Sequence, residues 1–235
     1  MGKCVAMLIL SLISLIGLTY AFTLNEWQIE TWYEDLDEDE DGDLAAQGED
    51  ETENSRVEYH GLRLVEVHDT DEDGTEISTR SNPSNEAEWI CDLIDDGYYG
   101  DEDEWNDNAK DSLKVWKEDY CPWFKESNQI INYTTYGVYV SLAFGAIGLM
   151  LGAFVTKGLS TKYASISFLL SGLTAVASGI YYQQMMPAMS EMVLWEELGI
   201  VREFGIGLWI AIASGGLTTL SSIIGFFSDA HDDYW

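Results

Sequence analysis

Two stretches of this chain place carboxylates at alternating positions ahead of a glycine. Asp37, Asp39, Asp41 and Gly42 read D-x-D-x-D-G, and Asp69, Asp71, Asp73 and Gly74 repeat the pattern. Alternating carboxylates can converge on one cation, and the glycine admits a sharp turn, so this is how a calcium-binding loop begins. The bidentate glutamate that closes such a loop is replaced by Gly48 in the first motif and Arg80 in the second. Asp-Gly is also ordinary turn chemistry. Calcium is therefore a candidate cofactor at both motifs, more so at the second, with turn formation as the leading reading.

Other reactive groups are sparse. Cys91 and Cys121 both lie in a strongly acidic stretch expected to lie outside the cell, where oxidation is permitted. They are expected to form a disulfide, closing a loop worth roughly 3 kcal/mol on the chain-entropy estimate. Cys4 lies at the edge of the first apolar run and is expected to be a spare, membrane-embedded thiol rather than an acylation site. His60, His68 and His231 are not spaced as metal ligands, and no nucleophile stands at a telling distance from a base. Carboxylate pairs are so common that none can be singled out for acid–base work. No catalytic residues are assigned, and the chain is read as a non-enzyme. Asn132-Tyr133-Thr134 is a glycosylation sequon so close to an apolar span that it is expected to stay unmodified.

The elements that must carry these groups fall into two compositions. Residues 23–134 hold 35 of the 42 acidic side chains and 7 of the 11 basic ones, so this block carries a net −28 (7 − 35) of the chain's −31. Such a field repels phosphates and argues against nucleic acid as a partner. It fits either a surface kept soluble in a saline medium, the favoured reading, or attraction of cations and basic proteins. The other residues are mainly apolar. Four uncharged runs, 4–22, 136–156, 163–182 and 204–227, match the roughly 20 residues a helix needs to cross a bilayer core. Each is apolar all round, unlike an amphipathic core helix. The first run also has the form of a cleavable signal peptide, but a retained span is favoured because the other three require a partner that returns the chain across the membrane.

Orientation follows from basic residues in short loops. Lys157 and Lys162 flank the turn between the second and third runs, and Lys3 precedes the first. Both places are expected to be cytoplasmic. The expectation is then a multi-pass protein of the cell membrane with both termini inside. The acidic block 23–134 and a second loop, 185–203, lie outside, and a short tail, 228–235, lies inside. The spans carry small residues at close spacing: Gly137, Ser141, Gly145, Gly148 and Gly152 in the second, Ser167, Ser171, Ala175 and Gly179 in the third, Gly207, Ala211 and Gly215 in the fourth. Small residues let helix backbones approach in lipid. Packing within one molecule is favoured over self-association through such a stripe. No Asp, Glu, Lys, Arg or His falls within a span core, which argues against pumping or transport.

In the outer block, Trp27, Trp32 and Tyr33 read as interface anchors. The run RVEYHGLRLVEV from Arg56 reads as a strand that turns at TDEDGT and returns as EISTR, a hairpin pattern. Residues 106–124 read as helix, with Leu113, Trp116 and Tyr120 at helical spacing. The fold class is thus an all-α four-helix transmembrane bundle with a large acidic extracellular loop domain containing a small antiparallel β-sheet.

The order of these parts resembles the claudin and peripheral-myelin-protein superfamily of tetraspan proteins. A span is followed by a large outer loop carrying Trp27, strand-like segments and two cysteines, and then by three closely spaced spans. ISFLLSGLTAVASGIYY and REFGIGLWIAIASGGL are similar to the family's third span and the start of its fourth, and the resemblance runs mainly over residues 110–227. The chain departs from the family where Gly61-Leu62 is followed by Arg63 rather than Trp, where the cysteines stand 30 apart, and where the loop is longer. The resemblance implies a left-handed four-helix bundle with an outer antiparallel sheet and a role in cell–cell or protein–protein contact. The expected function is a structural, adhesion or interaction protein, with lipid and a protein partner or a second copy as contacts. The alternative is a cation-attracting pore or auxiliary channel subunit.

Overall fold

The computed structural model describes residues 2–33, 55–62, 65–70, 76–81, 91–92, 94, 114, 116–155, 160–186 and 199–227. Four long helices dominate: α1 Gly2–Thr23, α2 Cys121–Val155, α3 Thr161–Met185 and α4 Ile206–Phe226. All four are long and apolar enough to cross a membrane, which marks a multi-pass membrane protein. Five strands accompany them: β1 Gln28–Tyr33, β2 Ser55–His60, β3 Val65–Thr70, β4 Glu76–Ser81 and β5 Gly199–Phe204. The chain divides into a helical unit, residues 1–27, 130–185 and 204–235, and a sheet unit, residues 28–129 and 186–203.

The helical unit is arranged opposite to a water-soluble core. Ile16 and Leu220 are 61% and 58% exposed, whereas Ser11 and Ser221 are fully buried. Many large apolar side chains point outward while small hydroxyl-bearing ones point in, as expected where lipid is the solvent and helices associate through close contact and hydrogen bonds. On the α1–α4 seam the Ser11 and Ser221 hydroxyls lie 2.6 Å apart, and Ser14 bonds both Thr218 and the Ser214 carbonyl. Between α2 and α3 the bonding is reciprocal. Ser141 Oγ donates to the Ser171 carbonyl at 2.7 Å, and Ser171 Oγ donates to the Ser141 carbonyl at 2.8 Å. One helix crossing requires glycine: a Cβ on Gly172 of α3 would lie 2.6 Å from the Gly215 carbonyl oxygen of α4. The other small residues singled out by spacing also face neighbouring helices. Gly145 and Gly152 meet Leu15 and Leu8 of α1, Gly148 meets Phe168, and Ala175 lies where a side chain on Gly215 would go. Ala211 is fully buried, and Gly207 meets Trp27.

Trp27 differs from its reading as an interface anchor. It is fully buried, its Nε1–H donates to the Ala21 carbonyl at 2.8 Å, and its ring meets Tyr182 edge-on. Having its one polar hydrogen satisfied by backbone is what lets the indole sit inside. Nearby, the amides of Gly205 and Gly207 donate to the carbonyls of Trp27 and Glu26, which satisfies orphan N–H groups at the start of α4. Phe204, read as the first residue of span four, ends β5 instead, and the helix begins at Ile206.

In the sheet unit the strand order is β4-β3-β2-β1-β5. Pairing is antiparallel from β1 through β4. The single strand read from Arg56 onward is two strands, because the chain breaks at Gly61 and Leu62 and folds back. The expected hairpin between Val65–Thr70 and Glu76–Ser81 is present. β1 and β5 carried no clear sequence signal. α2 begins at Cys121, 15 residues before the apolar run at 136, preceded by a π-helical turn over Trp116–Tyr120. Its first turns bury Cys121, Phe124 and Ser127, one face at helical spacing.

Candidate functional site

Strands β1 and β2 are built by their alternation. Ile29 and Thr31 on β1, and Val57 and Tyr59 on β2, are β-branched or aromatic and favour a pleated backbone. Residues between them point to the opposite face. There the order normal for a sheet is reversed: the face that is buried is the polar one. Gln28 and Glu30 are fully buried, and Glu58 and His60 are 6% and 7% exposed.

The register brings the four together. Gln28 stands opposite His60, and Glu30 stands opposite Glu58. Directly opposed side chains share a face at close range. His60 Nε2 lies 3.2 Å from Glu58 Oε2 and 3.7 Å from Glu30 Oε2. Gln28 Nε2 donates to Glu30 Oε1 at 2.7 Å. One donor atom from each of Glu30, Glu58 and His60 falls within 4.8 Å of the other two. Across β2, His60 faces the buried Val65, so its strand neighbour on that side is apolar. Two carboxylates opposed on neighbouring strands repel. A positive charge among them, an imidazolium or a bound cation, offsets that repulsion. The arrangement can therefore share protons or ligate a metal.

On the opposite face, across β2 and β3, His68 Nε2 lies 3.4 Å from Glu66 Oε1 and the His68 ring meets Tyr59 edge-on. That group is more exposed and ordinary for a sheet surface.

Cys91 and Cys121 form a disulfide, with Cα atoms 5.6 Å apart. Ile94 and Phe124 complete a small apolar cluster around it, flanked by Tyr120 and Trp123. Cys4 packs beside the cluster of Met7, Ala164 and Phe168. Of the calcium-loop aspartates, Asp37, Asp39, Asp41, Asp71 and Asp73 lie outside the described residues. Asp69 is a β3 residue in register with Arg56 and Ile77. His231 is likewise outside the described residues.

Sequence spacing did not find the Gln28, Glu30, Glu58 and His60 cluster. A faint signal exists: Q-x-E and E-x-H each put two polar groups on one strand face. It is drowned by the number of carboxylates around it, and only strand pairing selects which two meet. No protein-family model and no curated protein matches this chain.

Proposed function

We propose that this chain is a structural or interaction protein of the cell membrane, not an enzyme, and that it engages a protein partner or a second copy through its acidic outer domain. The observation that carries this reading is the source of the strands. Four strands of one sheet come from the segment between α1 and α2, and the fifth comes from the segment between α3 and α4. Two loops that share a sheet lie on one side of the membrane. The basic residues Lys3, Lys157 and Lys162 in the other short segments favour the cytoplasm, which supports an exterior sheet and cytoplasmic termini. The combination of four apolar helices with an antiparallel sheet, which the resemblance implies, supports a claudin-like relationship. Uncharged span cores held by paired hydroxyls support a packed bundle, and the charge of the outer block disfavours nucleic acid.

The test is crosslinking in native membranes. Recovery of a fixed partner or a discrete oligomer is expected, and monomer alone at all crosslinker concentrations would count against it. Topology is checked with a protease-cleavable tag near Asp101, expected to be cut in intact cells. A second reading, a cation-attracting pore or auxiliary subunit, rests on the concentration of negative charge in residues 23–134. It requires cation-selective conductance in liposomes that disappears when outer carboxylates are neutralised. Calcium at the aspartate motifs belongs to either reading and requires a thermal shift at millimolar calcium.

A further inference from the structure

We propose that Glu30, Glu58 and His60, with the Gln28 amide oxygen as a fourth donor, bind one divalent transition-metal cation of the zinc type in the sheet unit. Its residues are not those of the aspartate motifs, and the proposal does not depend on what the outer domain contacts.

The distances fit. Two donors each about 2.0–2.1 Å from a tetrahedral ion sit about 3.3–3.4 Å from one another. His60 Nε2 is 3.2 Å from Glu58 Oε2 and 3.7 Å from Glu30 Oε2, which brackets that separation. The remaining adjustment lies within side-chain movement, since the three donors already fall within 4.8 Å of one another.

An independent observation comes from Gln28. It is fully buried, yet its Oε1 has no hydrogen-bond partner among the described residues. A buried acceptor left unsatisfied costs free energy, and a cation satisfies it. Its amide nitrogen is tied to Glu30 Oε1, so the amide group that carries this oxygen adjoins the same cluster. An ion held by Glu30 Oε2 and Gln28 Oε1 leaves that hydrogen bond intact. The bond then orients Glu30, the role that groups around a metal ligand commonly play.

The donor set selects the metal class. Calcium takes six to eight oxygens and magnesium retains a shell of water, whereas an imidazole with two carboxylates in a closed, four-donor site suits zinc. All four donors stand on two hydrogen-bonded strands, which fixes their spacing more firmly than a loop would.

The experiment uses the full-length protein in detergent. It is stripped with chelator, given zinc chloride in the presence of millimolar calcium to occupy exposed carboxylates, and desalted. Elemental analysis is expected to find one zinc per chain retained. Cobalt(II) in its place is expected to give the intense visible absorption of a four- or five-coordinate ion. His60→Gln is expected to abolish retention, and Gln28→Ala to weaken affinity about 10- to 100-fold. Wild-type protein that retains no zinc, a weak six-coordinate cobalt spectrum, or retention unchanged in both variants overturns the proposal. Should His60→Gln fail to fold, the wild-type stoichiometry and cobalt spectrum decide alone.

Discussion

The helical unit and the sheet unit bury polar groups by opposite strategies. Inside the helices the buried polar groups are mostly neutral hydroxyls, and several are satisfied by one another, by a carbonyl of a neighbouring helix or by a carbonyl of their own helix. Inside the sheet they are ionisable: two glutamates and a histidine packed within ion-pair distance. A hydroxyl pair in lipid contributes little, because an unfolded helix in the membrane also finds partners. A buried carboxylate without compensation is expensive. The first unit thus distributes its polar stabilisation over many weak seams, and the second concentrates its polar risk at one place.

That contrast can be broken from both sides. The largest effect is expected at the cluster: His60→Ala leaves two buried carboxylates opposed and should destabilise the sheet unit by about 3–5 kcal/mol, read as a fall in its unfolding midpoint while the helical signal holds. Next, Cys91→Ser opens the disulfide and should cost roughly 3 kcal/mol on the chain-entropy model; reductant should destabilise wild type by a similar amount and leave the variant unchanged. On the helical side, Gly172→Ala drives a methyl into the Gly215 carbonyl and should cost about 1–3 kcal/mol by overpacking, measured by denaturant unfolding in detergent. Smallest is Ser141→Ala, which should cost about 0.6 kcal/mol. A loss several times larger there would mean that the hydroxyl seams, too, concentrate stability.

Much of the helical unit was legible from local composition. Whether a run of residues prefers lipid depends on the sum of its own side chains, so the apolar stretches stood out and the helices fall on them. The small residues at close spacing stood out for the same reason, though not which partner each would meet. Trp27 was misread because its type is common at membrane surfaces, whereas its burial depends on the Ala21 carbonyl and on the absence of a side chain at Gly207. β1 and β5 were missed because short strands beside spans carry few residues from which to read a period. In the strand read from Arg56, the alternation was right and the break at Gly61 was not.

The sequence by itself determined which segments avoid water, where the charge is concentrated, and which two cysteines share a compartment, since each of these is a local property of composition. Only the tertiary structure decided that Glu30 meets Glu58 and that His60 and Gln28 close on the same pair. Register couples residues some thirty positions apart, and a shift of one residue would turn each side chain to the other face. In a block with so many carboxylates, composition cannot mark the pair that matters; hydrogen bonding between two strands does.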